Sequence, residues 1–210
     1  MEKIVLIEVK DSKAFIKTHQ GLLVLEARES GIIRFMLKES ETSPDSPLDI
    51  LDKSDNPVNW EMRQTDTAII LETGKIVLEM NKRTAFMTWR DCTGNLLLSQ
   101  PFPEIYAQDV VRYSTGNEEP IIRRVKTVDG ERNFVENLAP YVDRSAYRAK
   151  VFFDWQDDEA LHGLGQGEEG IYNYRGKTQY MYQHNMRIPI PFLLSNKEYG
   201  ILFDCGSLMT

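Results

Sequence analysis

Cysteine is nearly absent: Cys92 and Cys205 are the only two in 210 residues. Two thiols cannot make a disulfide framework, so they read as small buried hydrophobes or free thiols. Histidine is as scarce. His19, His162 and His184 are scattered, without paired-cysteine spacing or a His-x-x-x-His pattern, so no zinc or iron site and no other cofactor is expected. Basic charge is short as well, since 25 Lys and Arg against 32 Asp and Glu leave a net charge of −7. Nucleic-acid binders usually carry a basic face, so that class of partner is not expected, and neutral substrates suit the chain better. Long apolar runs are missing too. The first, Ile4 to Ile7, stops at Glu8, too short for a signal-peptide core or a bilayer span. The expectation is a soluble chain with no membrane partner, with a cytoplasmic location slightly favoured.

What is present suits a folded β-protein. Apolar residues make up 41% and charged residues 27%, the balance of a globular chain rather than a disordered one. Short β-branched or aromatic runs recur between turn residues: Gly21 to Ala27, Gly31 to Leu37, Thr67 to Thr73, Lys75 to Asn81 and Ala85 to Asp91. Within them Ile76, Leu78 and Met80 alternate with Lys75, Val77, Glu79 and Asn81, and Phe86 and Thr88 alternate with Ala85, Met87 and Trp89. A period of two describes antiparallel strands with one buried face. Asp91 to Asn95 and Val128 to Glu131 supply hairpin turns, the second through an Asp-Gly pair suited to a type I′ turn. Acidic, Pro-containing Ser43 to Asn56 reads as a surface loop, and the best helix candidate, near Glu104 to Val111, is weak. Lys150 to Gln156 runs into the later segments without a linker, so the chain reads as one β-sandwich domain over 1–210.

Three constellations invite chemistry, and each has a plainer account. Gly163-Leu164-Gly165-Gln166-Gly167-Glu168 suggests a nucleotide loop, but the third glycine of a dinucleotide fingerprint would fall on Glu168, and Glu168 with Glu169 would repel a pyrophosphate. A loop requiring positive φ or close backbone approach is the better reading. Asp157-Asp158-Glu159 and Glu168-Glu169 resemble paired catalytic carboxylates, yet adjacent residues on an extended chain point to opposite faces, so solvated charge runs are expected. Tyr172 and Tyr174, then Tyr180 and Tyr182, flank Arg175 to Gln179 at period two. They read as a hairpin with cross-strand aromatic packing, although such faces also stack on sugars.

An ordered series then gives a family. Asp158-Glu159-Ala160-Leu161, Gly163-Leu164-Gly165, Arg175-Gly176, Pro191-Phe192-Leu193-Leu194-Ser195 and Tyr199-Gly200-Ile201-Leu202-Phe203-Asp204 together resemble the N-terminal β-sandwich of family 31 glycoside hydrolases, the α-glucosidases and α-xylosidases. The resemblance is strong over roughly the final 50 residues and generic before about residue 150. It implies an all-β, galactose-mutarotase-like supersandwich of two large antiparallel sheets. It also implies an accessory domain of a retaining α-glycosidase whose catalytic carboxylates lie on a barrel outside this chain, so that the chain alone is inactive and no catalytic residue is assigned here. The glycine segment would then shape an interdomain surface. A short rim loop that touches the leaving-group sugar in the family would fall on His184, Asn185 and Met186. The family often has Arg-Asp there, so His184-Asn185 departs from its pattern. The implied partners are an oligosaccharide substrate, reached through the parent enzyme, and the parent's catalytic barrel. The family's sandwich carries at least one strand beyond Tyr199 to Asp204, so an open sheet edge and a homodimer are expected. A stand-alone carbohydrate-binding module is the leading alternative. A mutarotase-like epimerase, with His162 as acid and Glu168 as base, is a third.

Overall fold

The computed structural model describes residues 4–43 and 58–210. In chain order the described strands are β1 (Ile4–Lys10), β2 (Lys13–Thr18), β3 (Gly21–Glu29), β4 (Ile32–Lys38), β5 (Trp60–Gln64), β6 (Ala68–Thr73), β7 (Ile76–Asn81), β8 (Met87–Asp91) and β9 (Leu96–Gln100). They continue with β10 (Glu104–Ser114), β11 (Ile122–Thr127), β12 (Gly130–Val135), β13 (Ala139–Lys150), β14 (Leu161–Gln166), β15 (Ile188–Ser195) and β16 (Tyr199–Leu202). No helix occurs among the described residues, and Glu104 to Val111, the helix candidate, lies in β10. The all-β fold stands. Of the loop expected at Ser43 to Asn56, residues 44–56 lie outside the described residues. By their own contacts the residues form two compact units, one of Met1–Phe102 with Phe152–Thr210 and one of Pro103–Val151.

In the larger unit, β1 to β4 and β5 to β9 are antiparallel meanders whose strands pair in sequence order. Their inner faces meet. Ile4, Ala14, Ile16, Leu23 and Leu25 from the first sheet join Ile69, Leu71, Leu78, Met80, Ala85 and Met87 from the second, with Phe102, in one buried cluster. The period-two alternation read in residues 75–91 is present, with Leu78, Met80 and Met87 on the inner face and Ala85 buried in the turn before β8. Each large side chain so buried contributes about 1.5–3 kcal/mol. The reversal before β8 is built by Asn81, whose side-chain oxygen accepts from the backbone of Arg83 (3.0 Å) and Thr84 (2.9 Å). A third antiparallel sheet, β14-β15-β16, belongs to the same unit, and Asp154 bridges to Ser99 of β9.

β3 is buried on both faces, which a half-solvated strand would not be. Its other face carries Glu26 and Arg28, paired at 3.0 Å, and Arg34 of β4 reaches Asp204 at 2.8 Å. The charges need those partners because isolated ions buried there would cost several kcal/mol each. The Arg34–Asp204 pair thereby ties the first sheet to the segment after β16.

The smaller unit consists of two two-stranded sheets, β10 with β13 and β11 with β12. The Asp129-Gly130 turn differs from expectation. Thr127 pairs with Gly130, so the central residues are Val128 and Asp129; neither has positive φ, while Gly130 has φ 116°. A type I′ turn centred on Asp-Gly is therefore not formed. The cysteines also divide the expectation: both are free thiols, and both are exposed rather than buried.

Candidate functional site

Four of the five segments of the resemblance meet around one buried carboxylate. Glu159 is 4% exposed, not solvated as its charge run suggested. One of its oxygens accepts from the hydroxyls of Ser195 (2.5 Å) and Tyr199, and the other accepts from the backbone N–H of Gln156 (2.8 Å). Arg175 donates to the Gln156 carbonyl at 2.8 Å. Burial, and then the Glu159 carboxylate that its hydroxyl serves, push the Tyr199 phenol well above its ordinary value. The neighbouring Asp158 carboxylate is exposed and lies 2.6 Å from the Lys197 ammonium, which holds it below its usual value. The DEAL, Arg-Gly, Ser195 and Tyr199 positions are thus one hydrogen-bonded node. Nothing in it offers an open position for a reacting atom.

From this node the chain makes an excursion between β14 and β15. Asn173 holds it at the start, its side-chain oxygen accepting from the backbone of Leu161 and Arg175, both at 3.0 Å. The Tyr174 N–H donates to the Leu161 carbonyl at 2.8 Å, and the Met181 N–H to the Met209 carbonyl at 2.9 Å. These anchors use the backbone groups a hairpin would need, so the four tyrosines do not face one another across strands as expected. Their contacts run along the chain instead: Tyr180 to Tyr182 at 6.4 Å, and Tyr182 to His184 at 6.3 Å and nearly parallel.

The excursion returns through His184, Asn185 and Met186. Met186 has φ 64° and is 69% exposed. His184 Nδ1 sits 3.3 Å from the Tyr182 carbonyl, and the His184 carbonyl accepts from the Arg187 N–H at 3.1 Å. Among the described residues no hydrogen bond engages the Asn185 side chain. All three residues line an open concavity with Gln166, Glu168 and Gln183. Arg187, also in its lining, pairs with Glu169. Glu168 borders the concavity, while His162, whose Nδ1 lies 2.6 Å from the Tyr172 carbonyl, does not. No group of His, Cys, Asp and Glu suited to a metal is found among the described residues.

The glycine segment adjoins the concavity through Gln166 and Gly167. It is not a loop but part of β14, with φ of 99°, 59° and 85° at Gly163, Leu164 and Gly165 and a bulge opposite β15. A Cβ on Gly163 would strike the Phe192 carbonyl oxygen, and one on Gly165 the Ile188 carbonyl oxygen. Positive φ and close backbone approach, the two needs read from the sequence, are both present. β15 then shows a divided character: Ile188, Ile190, Phe192 and Leu194 are 54%, 52%, 39% and 45% exposed, while Leu193 and Ser195 are buried. Four large apolar residues alternate along one uncovered strand face.

No family model matches the chain. An α-xylosidase of Saccharolobus solfataricus is 37% identical to it over 73 residues, spanning 30% of this chain and 10% of that enzyme. Among solved structures, a family 31 α-xylosidase of Xanthomonas citri matches with a TM-score of 0.65 and 19% identity, over 96% of this chain and 19% of that one. A family 31 α-xylosidase from a soil metagenome, solved with xylose, gives 0.64 and 16% over 97% of this chain and 28% of that one. A family 31 dextranase of Flavobacterium johnsoniae, solved as a variant with isomaltotriose, gives 0.63 and 17% over 99% and 23%. At such identities the structural likeness speaks for the fold. The chain fits an N-terminal domain of family 31 glycoside hydrolases. It spans only 10% of the curated relative and 19–28% of the solved ones. The residues that sequence reasoning missed are Glu159, Ser195, Tyr199 and Arg175 as a single unit. The one signal for it was that all four lie inside the motifs of the resemblance.

Among the described residues no helix is long and apolar enough to cross a membrane.

Proposed function

We propose that this chain is the accessory N-terminal domain of a retaining α-glycosidase of the α-glucosidase or α-xylosidase type. It packs on the parent's catalytic barrel, lends His184, Asn185 and Met186 to the leaving-group subsite, and is inactive alone. The observation that carries the reading is the row Ile188, Ile190, Phe192 and Leu194 on β15, exposed beside the His184–Met186 turn. A row of that size on a free surface marks a face that another body covers. The turn at its end then lies at the margin of whatever covers it. The Asn185 amide, with donor and acceptor both unengaged, suits sugar hydroxyls. In the parent the barrel's own carboxylates would form and hydrolyse the glycosyl-enzyme intermediate.

The test compares two substrates in the parent enzyme. Asn185→Ala is expected to lower kcat/KM for a disaccharide by the value of one hydrogen bond, about 0.5–1.5 kcal/mol, and to leave aryl α-glycosides less affected. The isolated chain is expected to turn over neither. Equal losses on both substrates would remove Asn185 from the leaving-group subsite.

A further inference from the structure

We propose that Tyr180, Tyr182 and His184 form a stacking strip that binds a neutral oligosaccharide on this chain itself. The three residues are spaced two apart on a segment that turns at Met181, where the Tyr182 N–H donates to the Tyr180 carbonyl at 2.9 Å, and their rings follow one another in sequence. Tyr182 and His184 lie 13° from parallel at 6.3 Å, and Tyr180 follows at 6.4 Å with its ring tilted by 51° to that of Tyr182. Tyr180 and Tyr182 are 50% and 56% exposed. The segment beneath them is held at several points. The Met181 N–H binds the Met209 carbonyl, Arg187 donates to the Tyr180 carbonyl at 3.2 Å, and His184 Nδ1 meets the Tyr182 carbonyl. Aromatic rings presented on a fixed backbone lose little freedom when a flat ligand lands on them.

The polar surroundings select the ligand. The amides of Gln166, Gln183 and Asn185 border the adjoining concavity, and each brings a donor and an acceptor, the pattern that matches hydroxyl groups. Anionic ligands are disfavoured: Glu168 stands at the rim, Arg187 is engaged by Glu169, and the chain carries a net charge of −7. A pyranose offers a C–H face to the rings and hydroxyls to the amides. The choice of a glycan over another flat neutral ligand rests on the glycosidase-domain reading. The strip extends that reading from one leaving-group contact to the sugar units beyond it.

The experiment is titration of the 1–210 chain with isomaltotriose and with xylotriose, followed by calorimetry and by the tyrosine ring NMR signals. Saturable binding is expected, with shifts confined to Tyr180, Tyr182 and neighbours. Tyr180→Ala and Tyr182→Ala are each expected to weaken it roughly five-fold or more, as loss of an aromatic face predicts. Tyr182→Phe should retain it. Tyr147→Ala, exposed in the smaller unit, should change nothing. Melting curves for every variant separate lost binding from lost folding. The proposal is overturned if the wild type shows no saturable binding to either sugar, if both alanine variants bind as well as wild type, or if a charged uronic-acid oligosaccharide or a proline-rich peptide binds in preference. None of these readouts uses hydrolysis. Failure here leaves the accessory-domain reading standing, and an inactive parent leaves the strip standing.

Discussion

Glu159 accepts three hydrogen bonds where water is excluded, and that sets what its removal costs. Glu159→Ala strands two hydroxyls and one backbone N–H, so a loss of about 3 kcal/mol is expected from unpaired buried donors. Urea unfolding measures it, and a loss below about 1 kcal/mol would mean that the three donors find other partners. Nothing in the residue string distinguishes this carboxylate from Asp157 or Asp158. A charge run looks the same whether one member turns inward or not, and the partners Ser195 and Tyr199 lie 36 and 40 residues away. Asp91 makes the contrasting case, because its partners are local and were legible. Its side chain accepts from Thr93 and Asn95, and these bonds, the Asn95 amide foremost, lower its pKa from the usual 3.8 to about 2. A depressed pKa in the folded state adds stability that is present above pH 3.8 and lost as pH falls towards about 2. Asp91→Asn should therefore flatten the fall of melting temperature in that window while leaving the curve above pH 5 parallel to wild type. An unchanged acid slope would show that the turn does not couple to folding.

At the scale of elements, the meanders were legible because alternation reports directly on which face is buried, as Leu78, Met80 and Met87 illustrate. The excursion between β14 and β15 was not. Tyr172 to Tyr182 carry a strand pattern, yet their backbone groups are taken by Leu161 and Met209, and no local signal announces a distant partner. The glycines show the mixed case. Positive φ was readable from composition, but the reason for it, contact with the β15 backbone, requires the pairing. It follows that Gly165→Ala should cost more than strain alone. At Gly116, with φ 61° and no heavy atom within 4 Å of where a Cβ would stand, an alanine should cost about 1–2 kcal/mol for its left-handed backbone. At Gly165 the added carbon meets the Ile188 carbonyl and lies 2.6 Å from the Ile190 nitrogen, so β15 must shift as well. Thermal unfolding of the two variants should rank Gly165→Ala clearly below Gly116→Ala. The reverse order would mean that the bulge yields without cost. Because β15 begins two residues after Met186, the Gly165 variant should also move the NMR signals of Asn185 and Met186.

For the whole molecule, the question is what a chain does with an uncovered apolar strand face. The buried cluster between the two meanders is already complete, so Ile188, Ile190, Phe192 and Leu194 are not spare core residues waiting for a better rotamer. They project from the opposite side of β15 to Leu193 and Ser195. Gly200 on β16 leaves room for the Phe192 ring, which lies 2.7 Å through Cε2 from where a Cβ would stand, so the ring lies over the Gly200 backbone. Water in contact with such a row raises the free energy of the monomer, and pairing two rows removes it. The 1–210 chain is accordingly expected to self-associate as its concentration rises. The charge of −7 opposes this at low ionic strength and is screened as salt is added, so association should strengthen with salt. Light scattering over a concentration series at two salt levels reads the effect. The double substitution Ile190→Glu with Leu194→Glu should return the chain to a monomer with its melting temperature little changed, since both side chains are about half exposed. Association that persists in that variant would assign it to another surface, such as the open strands of the smaller unit, and would take away the observation on which the covered-face reading rests.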